Sequence, residues 1–263
     1  MNLFDPICSI GHADFNNLIF NEKNTERYSS KSIESKSLFL FHLKSLDNHF
    51  RFIRRANEDD VFLVFNNISL FICTFLFKKI RCSFIVHNNY DFGTKSFFHS
   101  FIYSVICKKV SLIYLENRLH KKANELFHHK HSYVVKHPII NIQTERKLIQ
   151  DKIFVSGRNL DKKDLIKVCR IEKNHAVYCN KKFEGISEVN LESGFINDFD
   201  KLLNECEKIY IIGNYNSRAS GVLYRALSLT NVEIVFSNRG YLNEIIKYVS
   251  DFENKPKLSL IKL

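Results

Sequence analysis

Short apolar runs alternate with amphipathic stretches along most of the chain. In the first half, runs rich in Val, Ile, Leu and Phe predict strands at residues 3–10, 37–43, 61–65, 82–86, 110–115 and 132–135. Helical spacing of apolar residues between them predicts helices at residues 69–79, 95–108 and 117–127. The serine-rich residues 21–35 favour a loop or an irregular helix.

A second series follows the polar residues 140–150, which are typical of a linker. Strands are predicted at 152–156, 175–179, 187–190, 208–213 and 232–237, and helices at 162–173, 198–207, 219–228 and 242–249. Alternating strands and helices favour parallel sheets covered by helices. We therefore expect two α/β domains, residues 1–140 and 141–263. Ligands of such sheets bind beyond the carboxyl ends of the strands, or between domains, so the loops there are the places to search.

The composition is that of a globular protein, with 45% hydrophobic and 25% charged residues among 263, which excludes a disordered chain, a collagen repeat and a coiled-coil rod. None of the seven cysteines forms a C-x-x-C pair, so we expect reduced core thiols in a cytosolic protein. The apolar residues 61–77 are too few to span a bilayer and are interrupted by Asn66 and Asn67. They predict a strand, a turn and a buried helix.

Positive charge is concentrated in the first half. The net charge is +11, and residues 51–142 hold 14 basic and 6 acidic side chains, which is +8 of the excess. A basic surface can bind nucleic acid, an anionic membrane or a phosphorylated substrate, and composition alone does not choose among them.

The loop after the strand at 152–156 contains Gly157, Arg158 and Lys163 just as a helix opens. Backbone N–H groups at a helix start, together with flexible cations, suit a phosphate or diphosphate. The alternative is that the lysines are solvated residues of the first helical turn.

The loop at 213–221 offers Ser217, Ser220 and Gly221 between a strand and a helix. Small residues, hydroxyls and N–H groups there would admit an anion. An ordinary helix cap, with Ser217 as the N-cap residue, explains the same pattern equally well.

Histidines follow two strands of the first half. His87 comes directly after the strand at 82–86, in the position of a general base or a polar ligand to substrate. His12 and Asp14 have a similar but weaker placement after the first strand. The cluster at residues 128–131 favours an exposed turn over a metal site, because Lys130 intrudes and no carboxylate or cysteine completes a ligand set.

The order of these segments resembles the GT-B glycosyltransferases, especially the glycosyltransferase family 4-like group. The matching segments are SFIVHNNYDFG, YVVKHPI, KIFVSGRNLDKKDL, SRASGVLYRALSL and VEIVFSNRGYLNEII. The resemblance implies two Rossmann-like domains facing across a cleft, an acceptor-side amino domain and a nucleotide-sugar-binding carboxy domain. It also implies that Arg158 and Lys163 hold the donor diphosphate, that Ser220 and Gly221 lie at its phosphates or sugar, and that Glu244 lies near the donor.

Two glutamates that the group often carries on the donor helix are replaced here by Ser217 and Arg225. An arginine cannot accept hydrogen bonds from sugar hydroxyls. We therefore expect either that Arg225 contacts a phosphate or an acidic sugar, or that the donor site is degenerate. The chain is also short for two full domains. Two alternatives therefore stay open, a trimmed amino domain and a degenerate, inactive copy of the enzyme.

The resulting hypothesis is a glycosyltransferase that moves a sugar from a nucleoside-diphosphate sugar, its substrate, to a polysaccharide or lipid-linked acceptor, without cofactor or metal. If the reaction inverts, His87, Asp14 or His12 would be the base. We expect a cytoplasmic protein. One form of this hypothesis places it peripherally on the inner face of an anionic membrane. The alternatives are a non-catalytic pseudo-glycosyltransferase scaffold and a nucleic-acid-binding protein. The latter explains the charge but not the donor-like loops, so nucleic acid is not expected.

Overall fold

The chain folds into two compact α/β units, each built on a six-stranded parallel sheet. The computed structural model describes residues 2–4, 26–28, 37–87, 89–139, 142, 151–157, 160–188, 190–215, 220–252 and 256–263. Unit 1 ends at Pro138, and the described residues from Ile139 onward form unit 2. The α/β class with parallel sheets is confirmed. The assignment of acceptor and donor roles to residues 1–140 and 141–263 stays a prediction.

The sheet of unit 1 has the strand order β2-β1-β3-β4-β5-β6, with every pair parallel. Its elements in chain order are β1 (Asn2–Phe4), β2 (Glu26–Tyr28), α1 (Leu38–Arg55), β3 (Val61–Phe62), α2 (Asn67–Leu76), β4 (Ser83–Val86), α3 (Asn89–Gly93), α4 (Phe97–Lys109), β5 (Ser111–Tyr114), α5 (Asn117–Leu126) and β6 (His131–Val134).

Alternation of side chains along the strands gives this sheet two apolar faces. Phe4, Phe62 and Phe84 lie side by side in register, with ring centroids 4.2 and 5.4 Å apart. They belong to the core onto which α1, α2, α4 and α5 pack. The opposite face carries a second buried cluster, formed by Leu3, Val61, Leu63, Ile85 and Leu115.

The sheet of unit 2 has the order β12-β11-β10-β7-β8-β9, again with every pair parallel. Its elements are β7 (Lys152–Val155), α6 (Lys162–Ile171), β8 (Ala176–Cys179), β9 (Leu191–Ser193), α7 (Phe199–Glu205), β10 (Lys208–Ile211), α8 (Gly221–Ala226), β11 (Glu233–Phe236), α9 (Arg239–Tyr248) and β12 (Lys257–Leu260).

A buried ionic cluster joins the amino ends of the strands in unit 2. Glu172 accepts hydrogen bonds from the Lys208 ammonium (2.9 and 3.2 Å) and the Tyr210 hydroxyl, and His175 lies between Glu172 and Glu207, 2.9 Å from each. Burial alone would raise the pKa of Glu172, but the bonds from Tyr210 and Lys208 outweigh it and hold the pKa below its ordinary value. The cluster ties the end of α6 to β10 at the edge opposite the candidate loops.

Several sequence predictions are wrong. Residues 37–43, predicted as a strand, contain the start of the 18-residue helix α1, because the buried positions Ser45, His49, Phe52 and Ile53 continue at helical spacing. The polar region 21–35 contains the short strand β2. In unit 2, the strand expected at 187–190 lies at Leu191–Ser193, and β12 was not anticipated.

The apolar stretch 61–77 forms β3, an Asn66-capped turn and α2, as its sequence predicts. Over the part of the chain that the structure describes, no helix combines the length and hydropathy that crossing a bilayer requires. All six cysteines in that part are buried, in agreement with their prediction as core residues.

His49 fixes the turn between β3 and α2. Its Nδ1 lies 2.6 Å from the Ser45 carbonyl oxygen, and its Nε2 accepts the Asn66 N–H at 3.1 Å. The Asn66 side chain in turn caps α2 by accepting the Ser69 N–H at 3.0 Å. Because Nε2 is an acceptor, the imidazole must be neutral, and burial lowers the pKa of His49 from 6.5 to about 4.

We expect this histidine to make unit 1 acid-sensitive. Between pH 6.5 and 4 the unfolded chain binds a proton that folded His49 excludes, so stability is lost as pH falls through this window. The loss amounts to about 3 kcal/mol from this site. Urea denaturation of the wild type and of His49→Gln, which retains an acceptor, should show a flatter pH dependence in the variant. Parallel profiles would contradict this assignment.

Candidate functional site

The carboxyl edge of the unit 2 sheet collects the ends of β7, β8, β10 and β11, which is where parallel sheets bind ligands. Gly157 follows β7, and its N–H donates to the Asn180 Oδ1 after β8 at 2.9 Å. A Cβ on Gly157 would lie 2.6 Å from the Lys181 Cβ and 2.8 Å from the Cys179 Sγ. A glycine is required there because the chain after β8 packs directly against it.

Lysines surround this turn. Lys181 Nζ donates to the Leu160 carbonyl at 3.4 Å and lies 4.5 Å from the Phe183 ring centroid. Lys162 and Lys163 occupy the first turn of α6, and Lys162 Nζ donates to the Glu184 carbonyl at 2.8 Å. Lys163 is exposed and forms no ion pair with residues that the structure describes. Cations at the amino end of a helix oppose its dipole, so a bound anion would relieve this arrangement. Arg158 lies outside the described residues.

A buried tyrosine pair connects the β7 end with the start of α8. The Ser156 Oγ and the Tyr215 hydroxyl are 2.7 Å apart, the rings of Tyr215 and Tyr241 lie 5.7 Å apart, and the Tyr241 hydroxyl accepts the Ser220 N–H at 3.2 Å. The sequence reasoning missed Ser156, Tyr215 and Tyr241. The available signal was the placement of tyrosines in the loop after β10 and at the start of α9.

Ser220 and Gly221 have different surroundings. Ser220 is buried, and its Oγ accepts the Leu223 N–H at 3.3 Å, so Ser220 is the N-cap of α8. The N-cap that the sequence placed at Ser217 is therefore three residues further on, and Ser217 lies outside the described residues. A Cβ on Gly221 would meet no atom within 4 Å, so the space beside Gly221 is open.

Arg225 contacts a carboxylate of this chain. Its Nη1 lies 2.8 Å from both Asp200 oxygens, and its side chain is 16% exposed. Asp200 is thus a negatively charged partner of Arg225 within this chain. Glu244 lies in the second turn of α9, within the helix predicted at 242–249, and its Oε2 is buried.

The carboxyl edge of the unit 1 sheet holds a second polar group of residues. His87 is half-buried after β4 and lies near His137, whose pKa falls from 6.5 to about 4 because of burial, with a smaller contribution from His87. After β5, the Glu116 Oε2 accepts from the Arg118 Nη2 at 2.6 Å, with both side chains largely buried. Burying an ion pair is costly, which favours a role beyond stability. His12 and Asp14 lie outside the described residues.

Two other features contain none of the predicted site residues. His129, in the histidine cluster, is bonded to the Tyr114 hydroxyl at 2.8 Å and to the Phe127 carbonyl at 3.0 Å. An open groove of about 680 Å³ lies at the amino end of β8 and is lined by Cys169, Arg170, Lys173, Asn174, His175, Ala176, Glu188 and Asn190. The groove is at the edge of the sheet opposite Gly157.

No protein-family model and no curated protein matches this chain. Among solved structures, the chain is similar to the crystal structure of CalG4, the calicheamicin glycosyltransferase, with 11% sequence identity and a TM-score of 0.41. The alignment covers 99% of this chain and 85% of CalG4. The description of the fold as two parallel α/β units rests on the strand pairing given above.

We expect the Arg225–Asp200 pair to stabilise unit 2. Arg225→Ala and Asp200→Ala should each lower the free energy of unfolding, and their double-mutant cycle should give a coupling of about 1 kcal/mol, the upper end for partly exposed pairs. If instead Arg225 binds the donor, Arg225→Ala alone would weaken nucleotide binding, whereas Asp200→Ala would not. Urea denaturation and calorimetry on the same three variants separate the two assignments.

Proposed function

We propose that this chain transfers a sugar from a nucleoside-diphosphate sugar to a hydroxyl of a glycan or lipid-linked acceptor. The observation that carries the proposal is the tyrosine pair. It links Ser156, which follows β7, to Ser220, which precedes α8, and these two residues border the predicted phosphate loops. A diphosphate needs cations and N–H donors close together. Lys163 lies exposed in the first turn of α6, after the Gly157 turn, and the space beside Gly221 is open.

The departing nucleoside diphosphate carries the charge that develops as the bond from the anomeric carbon to the β-phosphate oxygen breaks. Lys163, with Arg158 from the same loop, would stabilise that charge. Glu244 is proposed to lie near the donor, and Ser217, in the loop at 213–221, to bind it. Ser220, which caps α8, is proposed to lie with Gly221 at the donor phosphates or sugar.

In unit 1, His87 is the proposed base. Its imidazole would accept the proton of the acceptor hydroxyl as the oxygen attacks the anomeric carbon, and the electron pair of the broken bond would leave with the diphosphate. His12 and Asp14 remain proposals for the same role on sequence alone. The acceptor-side role of unit 1 is part of this proposal.

Two observations favour a second candidate, a non-catalytic pseudo-glycosyltransferase scaffold. The Gly157 N–H is occupied by Asn180, and Arg225 is paired with Asp200 where a donor-binding glutamate is expected. A scaffold would bind a nucleoside diphosphate, or nothing, and would release no product from a nucleotide sugar.

Lys163→Ala should weaken nucleoside-diphosphate binding about fivefold, and Arg158→Ala more strongly, because hydrogen bonds to charged groups contribute about 1.5–3 kcal/mol. Calorimetry with a set of nucleoside diphosphates measures both. Lys167→Ala is the matched control, since Lys167 is also exposed on α6 but pairs with Asp164 at 3.9 Å. Equal affinities in all three variants would remove the diphosphate site from this loop.

His87→Ala should reduce sugar transfer about 10²–10⁴-fold while leaving nucleoside-diphosphate affinity unchanged, as expected for loss of a general base. Product release from labelled nucleotide sugars, with acceptor present, gives the rate. The control is His128→Ala, which removes an exposed histidine of the same unit. Transfer at the wild-type rate in His87→Ala would exclude His87 as the base, and no transfer by the wild type would favour the scaffold.

A further inference from the structure

The outer surface of α2 and α4 in unit 1 carries large apolar side chains. The exposed fractions of these side chains are 91% for Phe97, 68% for Phe75, 63% for Phe98, 58% for Leu76 and 53% for Phe101. We call these five residues the phenylalanine face. The same two helices enter the core through other residues, which are Leu70, Cys73, Ile102, Tyr103 and Ile106.

The two helices form one continuous apolar surface. They lie side by side, and the half-buried Phe71 ring connects them, with its centroid 5.0 Å from that of Phe75 and 6.1 Å from that of Phe101. The four exposed phenylalanines together leave roughly 500 Å² in contact with water. Exposed apolar patches of several hundred Å² are often binding surfaces.

The charges around this face indicate which partner binds to it. Residues 67–81 and 95–109 hold six basic side chains and no acidic ones: Lys78, Lys79, Arg81, Lys95, Lys108 and Lys109. All six are exposed. Lys79 also forms an ion pair, with its Nζ 3.3 Å from the Glu58 Oε1. A second copy of the chain would bring the same basic residues against these, which is unfavourable. An anionic bilayer fits both the apolar and the basic side chains. Phenylalanines partition into the boundary between headgroups and acyl chains, and lysines attract the anionic headgroups.

We propose that the phenylalanine face docks unit 1 on an anionic lipid bilayer, with Phe75, Phe97 and Phe98 entering the boundary between headgroups and acyl chains. The basic side chains around it then contact lipid phosphates. Docking requires neither donor nor acceptor, so it does not depend on the proposed sugar transfer.

The first test uses the full chain and vesicles of phosphatidylcholine, with or without an equal amount of phosphatidylglycerol. The wild type should co-sediment with the anionic vesicles and much less with the neutral ones. The triple variant Phe75→Ser, Phe97→Ser, Phe98→Ser should lose at least about tenfold in partitioning, given the area removed. Lys108→Glu with Lys109→Glu should lose roughly fivefold for each lysine removed.

The matched control is Phe195→Ser, because Phe195 is 92% exposed but lies in unit 2. Its partitioning should equal that of the wild type. Circular dichroism of each variant checks folding, which these exposed positions should not disturb. Wild-type partitioning by the triple variant, or equal binding to neutral and anionic vesicles, would overturn the proposal. So would a wild-type dimer that the triple variant abolishes without any vesicle binding.

A second test exploits the absence of tryptophan from the chain. Phe97→Trp and Phe195→Trp each create a single tryptophan at an equally exposed site. On anionic vesicles, the emission of Phe97→Trp should shift to the blue as the ring leaves water, while that of Phe195→Trp should not change. An unshifted Phe97→Trp spectrum on bound protein would show that this face does not enter the bilayer, and would also overturn the proposal.

Discussion

Parallel strand pairing is the constraint on which both units depend. Each strand must be followed by a return segment that covers the sheet, so the carboxyl ends of all strands come to one edge. In unit 1 that edge carries His87 after β4, and Glu116 with Arg118 after β5. In unit 2 it carries Gly157 and Asn180. The chemistry-bearing residues are therefore neighbours because of topology, although they are far apart in the sequence.

Bonds within the protein hold the unit 2 edge in shape before any ligand arrives. Asn180 holds the Gly157 turn, and the tyrosine pair joins the end of β7 to α8 and α9. Such prior fixing is how a site lowers the cost of binding, because groups need not be ordered at the moment of contact. It also means that the proposed diphosphate would compete with Asn180 for the Gly157 N–H, whereas Lys163 would need no such exchange.

The sequence predicted most strands and helices because their apolar periodicity is local. It failed at residues 37–43, where a strand-like apolar run belongs to the helix α1, whose burial pattern only emerges over residues 45–53. Site residues divide in the same way. Gly157 and His87 could be proposed from the sequence because they directly follow strands. The Asp200 partner of Arg225 and the Tyr215–Tyr241 pair were missed, since they join residues from separate elements that no local spacing relates.

The buried cysteines allow the unfolding of each unit to be followed separately. Cys73, Cys82 and Cys107 lie in unit 1, and Cys169, Cys179 and Cys206 lie in unit 2. Burial raises the pKa of Cys73 and Cys82 to about 12 and that of Cys169 to about 11, so the reactive thiolate is scarce while the fold is closed. At these six cysteines, a brief pulse of alkylating reagent would mark only a unit that has opened. Peptide masses would then record, molecule by molecule, whether the halves of this chain unfold together or one at a time.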